Sequence, residues 1–213
     1  MTDKPIIFSV PMVRALMLGT KTQTRRVLKH RHIDIGIALT AQTGDPVWIG
    51  FDHPKGGPLT CVKWPYAKGD RLWVREAHAF VPASAYRNRL FVEQRSDPAD
   101  PDRAAIYREG FDRSTGGIRW RPSIHMPRWA SRLTLVVTDV RVQRVQEISE
   151  ADIAAEGIKR GFSGGPHGEE GLYEDFADLW NTIHGPDAWD RNDWVAAISF
   201  TVHSCNIDQM EAP

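Results

Sequence analysis

The stretch Arg71-Leu72-Trp73-Val74-Arg75-Glu76-Ala77-His78-Ala79-Phe80 has the clearest strand pattern in the chain. Its apolar residues recur at every second position, which is the period of a β-strand with one buried face. Strand alternation predicts one face made of Leu72, Val74, Glu76, His78 and Phe80. The carboxylate of Glu76 is therefore expected on a face that otherwise suits a protein interior.

Other strands are predicted on both sides of this stretch. They cover residues 6–10, 133–140 with a continuation to 145, and 194–200, with weaker strands around 47–49, 59–62 and 104–107. Helices are predicted from Pro11 to about Met17, from Ser149 to Glu156, and over residues 172–183. Because strands outnumber helices and no βαβ rhythm is present, we expect an α+β fold with a mixed sheet curled into a small barrel.

The length of 213 residues suits one well-filled domain, which we place over residues 1–213. Two polar or glycine-rich stretches, near 82–116 and 161–171, are interpreted as inserted loops, the first mobile and the second a flexible lid. The chain lacks an apolar span of about 18 residues and an N-terminal secretory signal. Its two cysteines, Cys61 and Cys205, lie far apart. We therefore expect a cytoplasmic protein without a membrane partner.

The charge balance limits the expected ligands. Lysine and arginine together number 27, and aspartate and glutamate also number 27. A protein that binds long nucleic acids usually carries a basic excess, because phosphate contacts supply most of the sequence-independent affinity. A nucleoside, a nucleotide or a short RNA is thus favoured as ligand over a long duplex.

The segment Gly19-Thr20-Lys21-Thr22-Gln23-Thr24-Arg25-Arg26 combines hydroxyls with cations. Lys21 and Thr24 stand three residues apart, so one tight turn of backbone could direct both side chains to one point. A threonine hydroxyl becomes a nucleophile when a base removes its proton, and lysine serves as that base if its pKa is lowered. The neighbouring Arg25 and Arg26 act in that direction. A solvated basic loop is the alternative interpretation.

Glu76 is the second candidate for proton transfer. A carboxyl group on an apolar strand face has a raised pKa unless a cation meets it, and either state is useful in acid–base catalysis. An ion pair with Arg75, or with a residue of another strand, is the alternative role.

Three motifs together resemble an ASCH domain. They are G-T-K-T-Q-T-R-R at residues 19–26, K-G-D followed by R-L-W-V-R-E at 68–76, and S-x-x-D-I-x-x-E-G-I at 149–158. The resemblance covers most of the chain and implies a PUA-like β-barrel, in a superfamily with RNA-related roles. Within that family, small bacterial enzymes about half this length remove the acetyl group of N(4)-acetylcytidine. Their lysine accepts a proton, their threonine is the nucleophile and their glutamate donates a proton.

The resemblance assigns these three roles to Lys21, Thr24 and Glu76, and implies an amidohydrolase for cytidine-type nucleosides that needs no cofactor. A non-catalytic RNA-binding module and a ribonuclease acting on single strands are the alternatives. The complete set of three residue types favours catalysis over binding.

Substrate contacts are expected from four further residues: Arg25, Arg26, Arg75 and Tyr66. The arginines could stabilise an oxyanion or tune the lysine, and the tyrosine could stack on a nucleobase. His125, between two prolines, is expected to pack or to lie at a rim. His30 and His32 have a spacing that could share a metal ion, but nothing near them in the sequence completes such a site, so no metal is expected.

Overall fold

The computed structural model describes residues 2–28, 38–41, 47–51, 60–87, 92–112, 117–158 and 171–210. Contacts between Cα atoms divide the chain into two compact units. Unit 1 contains Met1–Gly19, Asp70–Val136 and Val202–Pro213, and unit 2 contains Thr20–Gly69 and Val137–Thr201.

Within the described residues the chain forms eleven strands and three α-helices, and short 3₁₀ turns lie between some of them. In chain order the elements are β1 (Asp3–Ile7), α1 (Val10–Met17), β2 (Gln23–Val27), β3 (Ala38–Ala41), β4 (Val47–Phe51), β5 (Thr60–Trp64), β6 (Arg71–Arg75), β7 (His78–Pro82), β8 (Gln94–Asp97), β9 (Asp100–Tyr107), β10 (Thr134–Arg144), α2 (Glu150–Ala155), α3 (Leu172–His184) and β11 (Trp194–His203). The protein is therefore a mixed α+β structure.

The strands form three sheets with the orders β1-β6-β10-β11-β2, β3-β4-β5 and β7-β9-β8. In unit 1, β1 lies parallel to β6, which pairs antiparallel with residues 134–136 of β10. In unit 2, β2 pairs antiparallel with β11. The predicted closed barrel is not found among the residues that the structure describes.

The stretch 71–80, predicted as one strand, is two strands in different sheets. β6 ends at Arg75 and β7 begins at His78. The break coincides with contacts from a distant segment: the backbone N–H of Glu76 lies 3.1 Å from the sulfur of Met126, and His78 exchanges two backbone hydrogen bonds with Arg121. Glu76 therefore lies at a break between strands, buried as predicted.

A tight turn that extends from Lys21 to Thr24 is not observed, because the chain is a β-strand from Gln23 onward. Gln23 begins β2, and its backbone is extended because it pairs with β11, with Thr24 opposite Ile198. The nearest turn lies earlier, after α1, where Gly19 has a φ of +67°. Glycine adopts this left-handed conformation without steric cost.

The segment 82–116, predicted as an inserted mobile loop, contains regular structure. β9 pairs with β7 on one side and with β8 on the other. The last four residues of β9, Ala104 to Tyr107, are buried, because alanine, isoleucine and tyrosine there pack on both faces of the strand. The predicted strand at 104–107 is thus the end of a longer one. The second predicted loop lies outside the described residues except for Gly171.

Unit 2 has its own apolar core around α2 and α3. Ser149 caps α2 through its side-chain oxygen, which accepts from the backbone N–H of Asp152 at 3.2 Å. The buried members of the core include Ile153 of α2 and Phe176 and Trp180 of α3. Among the described residues, the helices are too short or too polar to cross a membrane.

Candidate functional site

Lys21 is buried and ion-paired in unit 2. Its side chain is 1% exposed. The Nζ atom donates to Oε2 of Glu156 at 2.6 Å and to the backbone carbonyl of the same residue at 3.0 Å. Glu156 directly follows α2, and the backbone N–H of Thr22 donates to the carbonyl of Ala155 at 2.8 Å. The C-terminal end of α2 therefore holds the lysine in place.

Arg25 lies in the same ion-pair network. Its Nη1 donates to Oε1 of Glu156 at 3.2 Å and to the side-chain oxygen of Gln23 at 2.6 Å, while its Nη2 lies 3.2 Å from Oδ2 of Asp152. Gln23 in turn donates to Oδ1 of Asp152 at 3.0 Å. Gln23 and Arg25, which alternate along β2, thus bind the carboxylates of Asp152 in α2 and of Glu156 at its C-terminal cap. The motifs at 19–26 and 149–158 are therefore in contact.

Asp152 is strongly acidic in this network. Burial opposes its ionisation, but hydrogen bonds from Gln23, Arg141 and Ser149 outweigh burial and lower the pKa of Asp152 to about 2. A carboxylate that stays ionised at neutral pH keeps the guanidinium of Arg25 neutralised inside the unit. A contact of Arg25 with substrate remains a prediction.

Thr24 is buried and lies between Gln23 and Arg25 on β2, so strand alternation directs its side chain away from their network. Thr22, two residues earlier, is exposed. Of these two threonines, the structure therefore gives only Thr24 the shielded environment that an activated hydroxyl requires.

The structure brings Arg26 and Tyr66 together in unit 2. Burial lowers the pKa of Arg26, against the opposing effects of Tyr66 and Glu156. Burial also raises the pKa of Tyr66, and the charge of Arg26 opposes that rise. The Tyr66 ring packs edge-on against Trp64, with 5.9 Å between ring centroids. Arg26 and Tyr66, both predicted to contact the substrate, therefore lie near each other and are partly buried.

Glu76 is the centre of a second buried network, which lies in unit 1. It is 1% exposed, and Arg132 binds both of its carboxylate oxygens, through Nε at 2.8 Å and Nη2 at 2.9 Å. The alternative of an ion pair is thus observed, with Arg132 rather than Arg75 as partner. Arg132 immediately precedes Leu133 and strand β10.

Burial raises the pKa of Glu76, although the hydrogen bonds and charge of Arg132 oppose the rise; the nearby Glu93 and Glu109 carboxylates add to it. Burial disfavours the charge of Arg132, but Glu76 and Glu93 raise its pKa above the ordinary value. Arg132 therefore remains a cation, while the Glu76 carboxyl group is held closer to its protonated form than an exposed glutamate.

Arg132 also forms part of the wall of a cavity. Besides Glu76, its guanidinium donates to Oε2 of Glu93 at 2.5 Å and to the carbonyl of Glu109 at 3.2 Å, and lies 4.1 Å from the ring centroid of Tyr107. The cavity of about 370 Å³ is lined by Met17, Val92, Glu93, Tyr107, Glu109, Gly110, Phe111 and Arg132. This volume lies within the range of roughly 300–1,000 Å³ that is typical of small-molecule sites.

Arg75 has a structural contact in unit 1. Its Nη2 donates to the carbonyl of Ile124, and its guanidinium lies 5.3 Å from the ring centroid of Trp73. His78 is fully buried, with Nδ1 3.2 Å from the carbonyl of Glu76, and burial lowers its pKa. His125 is exposed at the surface in a 3₁₀ turn, and a role at the rim of a site stays a prediction.

The predicted site residues are distributed over both units. Unit 2 contains Lys21, Thr24, Arg25, Arg26 and Tyr66, and unit 1 contains Arg75 and Glu76. A joint action of Lys21 and Thr24 with Glu76 remains a prediction.

Sequence reasoning missed the direct partners of these residues. Glu156 and Asp152 stand in the motif at 149–158, whose acidic residues were an available signal. Arg132 carries no motif, and only its position beside a strongly predicted strand marks it.

No group of three or more histidine, cysteine or acidic side chains suited to a metal ion occurs in the part of the chain that the structure describes. His30 and His32 lie outside that part. Comparison of the chain with family models, with curated proteins and with solved structures finds no match in any of the three. The resemblance to ASCH domains therefore depends on the residues themselves.

Proposed function

We propose that the protein is an amidohydrolase that removes the acyl group from the exocyclic amine of a cytidine-type nucleoside, as in the conversion of N(4)-acetylcytidine to cytidine and acetate. The observation that carries this proposal is the state of Glu76. Its buried carboxyl group has a raised pKa, and its partner Arg132 lines a cavity of small-molecule size. A raised pKa favours the protonated form that a proton donor needs, and a cavity beside its partner can admit a substrate.

In the proposed acylation step, Lys21 in its neutral amine form turns from Glu156 to Thr24 and takes the proton of the threonine hydroxyl, and the threonine oxygen attacks the acyl carbonyl carbon. The carbon–nitrogen bond breaks, and the proton of Glu76 goes to the leaving amine. The ammonium of Lys21 is stabilised by Glu156 at 2.6 Å, and the new carboxylate of Glu76 by the two hydrogen bonds from Arg132. Each charge formed in this step therefore has a partner.

In the proposed deacylation step, water attacks the acyl-threonine ester and gives a proton to Glu76. The ester bond breaks, Thr24 recovers its proton from Lys21, and the free acid leaves. Water and amide are thus converted to acid and amine, with every side chain restored. Membership of the ASCH family, with its PUA-like barrel, is part of this proposal.

The test is to incubate the protein with N(4)-acetylcytidine and to measure cytidine release by chromatography. Replacing Thr24 by valine removes the hydroxyl at nearly constant volume, so we expect turnover to fall on the order of 10³-fold or more, as for other nucleophile deletions. Thr24→Ser keeps a hydroxyl and should retain measurable turnover.

Thr22→Val is the matched control, because Thr22 is an exposed threonine two residues away. Its turnover should stay within about twofold of the wild-type value, as expected for a surface substitution. Equal turnover of Thr24→Val and the wild type would remove the nucleophile from the proposal. Absence of cytidine release by the wild type, together with salt-sensitive binding of an RNA oligomer, would favour the RNA-binding module.

A further inference from the structure

A carboxylate on the cavity wall in unit 1 has an oxygen without a donor. Glu109 is 8% exposed. Its Oε1 accepts from Nε of Arg14 at 2.7 Å, while its Oε2 is buried and has no hydrogen-bond partner among the described residues. A buried carboxylate oxygen without a donor is unfavourable. A ligand in the cavity could supply the missing donor.

The other walls suit a planar ring. Met17, Val92 and Phe111 supply apolar surface. The Phe111 ring is held edge-on by Trp120 at 5.4 Å and by Tyr86 at 5.7 Å between centroids. An aromatic side chain fixed in this way offers a rigid surface for contact with a nucleobase.

The charges around the cavity select the polarity of that ring. Among the charged residues that line the cavity, Glu93 and Glu109 carry carboxylates and Arg132 carries a guanidinium. The excess of one negative charge favours a ligand that presents N–H donors and disfavours a phosphate or a carbonyl edge.

We propose that Glu109 recognises the base of the substrate, with Oε2 accepting a hydrogen bond from the N–H of the exocyclic amine or amide. This inference depends on the proposed function and assigns the substrate preference of the same reaction. Glu109 makes the site select cytosine-type bases, which carry this N–H, over uracil-type bases, which carry a carbonyl at that position. The residue belongs to segment 82–116, so the segment predicted as an insertion contributes to specificity.

The first test measures binding to the wild-type protein by calorimetry, with cytidine, uridine and N(4),N(4)-dimethylcytidine as ligands. A site that hydrogen-bonds an N–H through a buried carboxylate should bind cytidine roughly tenfold to hundredfold more tightly than the other two. Equal affinities for the three ligands would overturn the inference, and this outcome does not depend on any variant folding.

The second test compares Glu109→Gln with Arg14→Gln, which acts as its matched control. The Arg14 side chain is 66% exposed, so its loss removes the outer partner of Glu109 and leaves the free oxygen in place. Glu109→Gln should reduce the preference for cytidine over uridine to about threefold or less, because the amide both donates and accepts hydrogen bonds. Arg14→Gln should retain the preference. An unchanged preference in Glu109→Gln, or an equal loss in both variants, would overturn the assignment.

The two proposals fail in different ways. Cytidine preference that depends on Glu109, without acetate release from N(4)-acetylcytidine, removes the amidohydrolase and retains the recognition role. Acetate release with a KM that Glu109→Gln leaves unchanged retains the enzyme and removes the recognition role.

Discussion

Replacing Arg132 by methionine should be among the most destabilising single changes in unit 1. The side chains of Arg132 and Glu76 are 5% and 2% exposed, and two hydrogen bonds join them. Removal of one partner leaves the other charge buried without compensation, which costs about 3–5 kcal/mol. For a chain of this length each kcal/mol lowers Tm by roughly 2–4 °C, so the decrease should be on the order of 6–20 °C.

The loss should depend on pH in a definite direction. The folded-state pKa of Glu76 is raised, so its contribution to stability is complete below its ordinary pKa and is lost as pH rises through the folded value. Without Arg132 that pKa rises further, because the opposing cation is gone. The penalty of Arg132→Met, relative to wild type at the same pH, should therefore be smaller at pH 5.5 than at pH 8.5.

The assay is urea unfolding followed by tryptophan fluorescence at both pH values. Arg191→Met is the control for loss of an arginine, because its 3.4 Å pair with Asp193 is exposed and should contribute less than about 1 kcal/mol. The double variant Glu76→Gln with Arg132→Met removes both charges, so its loss should be smaller than the sum of the two single losses.

Two results would refute this reasoning. One is a penalty for Arg132→Met that is the same at pH 5.5 and 8.5, since a buried unpaired carboxyl group must respond to protonation. The other is strict additivity in the double variant, since residues in direct contact in one network are expected to couple.

Two further predictions concern unit 2 and the turn before it. The pKa of Asp152 is lowered from 3.8 to about 2, so its contribution is present above 3.8 and is lost as pH falls through 2. Asp152→Asn should cost about 2 kcal/mol at pH 7 and almost nothing near pH 2 in urea unfolding, and a pH-independent loss would contradict this. Gly19→Ala should lower stability by about 1 kcal/mol in thermal unfolding, because φ is +67° and no atom lies within 4 Å of the added carbon. Gly19→Asn should lose less, since asparagine tolerates this conformation, and equal stability of the alanine variant and the wild type would exclude backbone strain.

Local patterns predicted several elements correctly. The apolar stripe after Pro11 became α1, Ser149 caps α2, and the long apolar run after Leu133 became β10. These elements depend on neighbours within a few residues, through capping, side-chain spacing and strand propensity. The burial of Glu76 also agrees with the alternation predicted over 71–80, although the residue itself lies between two strands.

Long-range interactions determined what the patterns left open. The alternation over 71–80 continues through Glu76, yet the chain passes from one sheet to another there. The sulfur of Met126 contacts the backbone N–H of Glu76, and the backbone of Arg121 pairs with that of His78. Segment 82–116 looked like a polar loop, but its strand β9 pairs with β7, as in His78 opposite Tyr107, and its strand β8 pairs with β9. Strand pairing between distant segments is invisible to a local pattern.

The sequence by itself determined which residue types were available for chemistry: Lys21 and Thr24 after a helix, Glu76 in a stretch of alternating apolar residues, and three motifs that resemble an ASCH domain. The tertiary structure alone decided their partners. It paired Lys21 with Glu156, 135 residues away, and Glu76 with Arg132, 56 residues away. The physical reason is that a buried charge must be compensated by a group within hydrogen-bonding distance, and folding brings that group from any position in the chain.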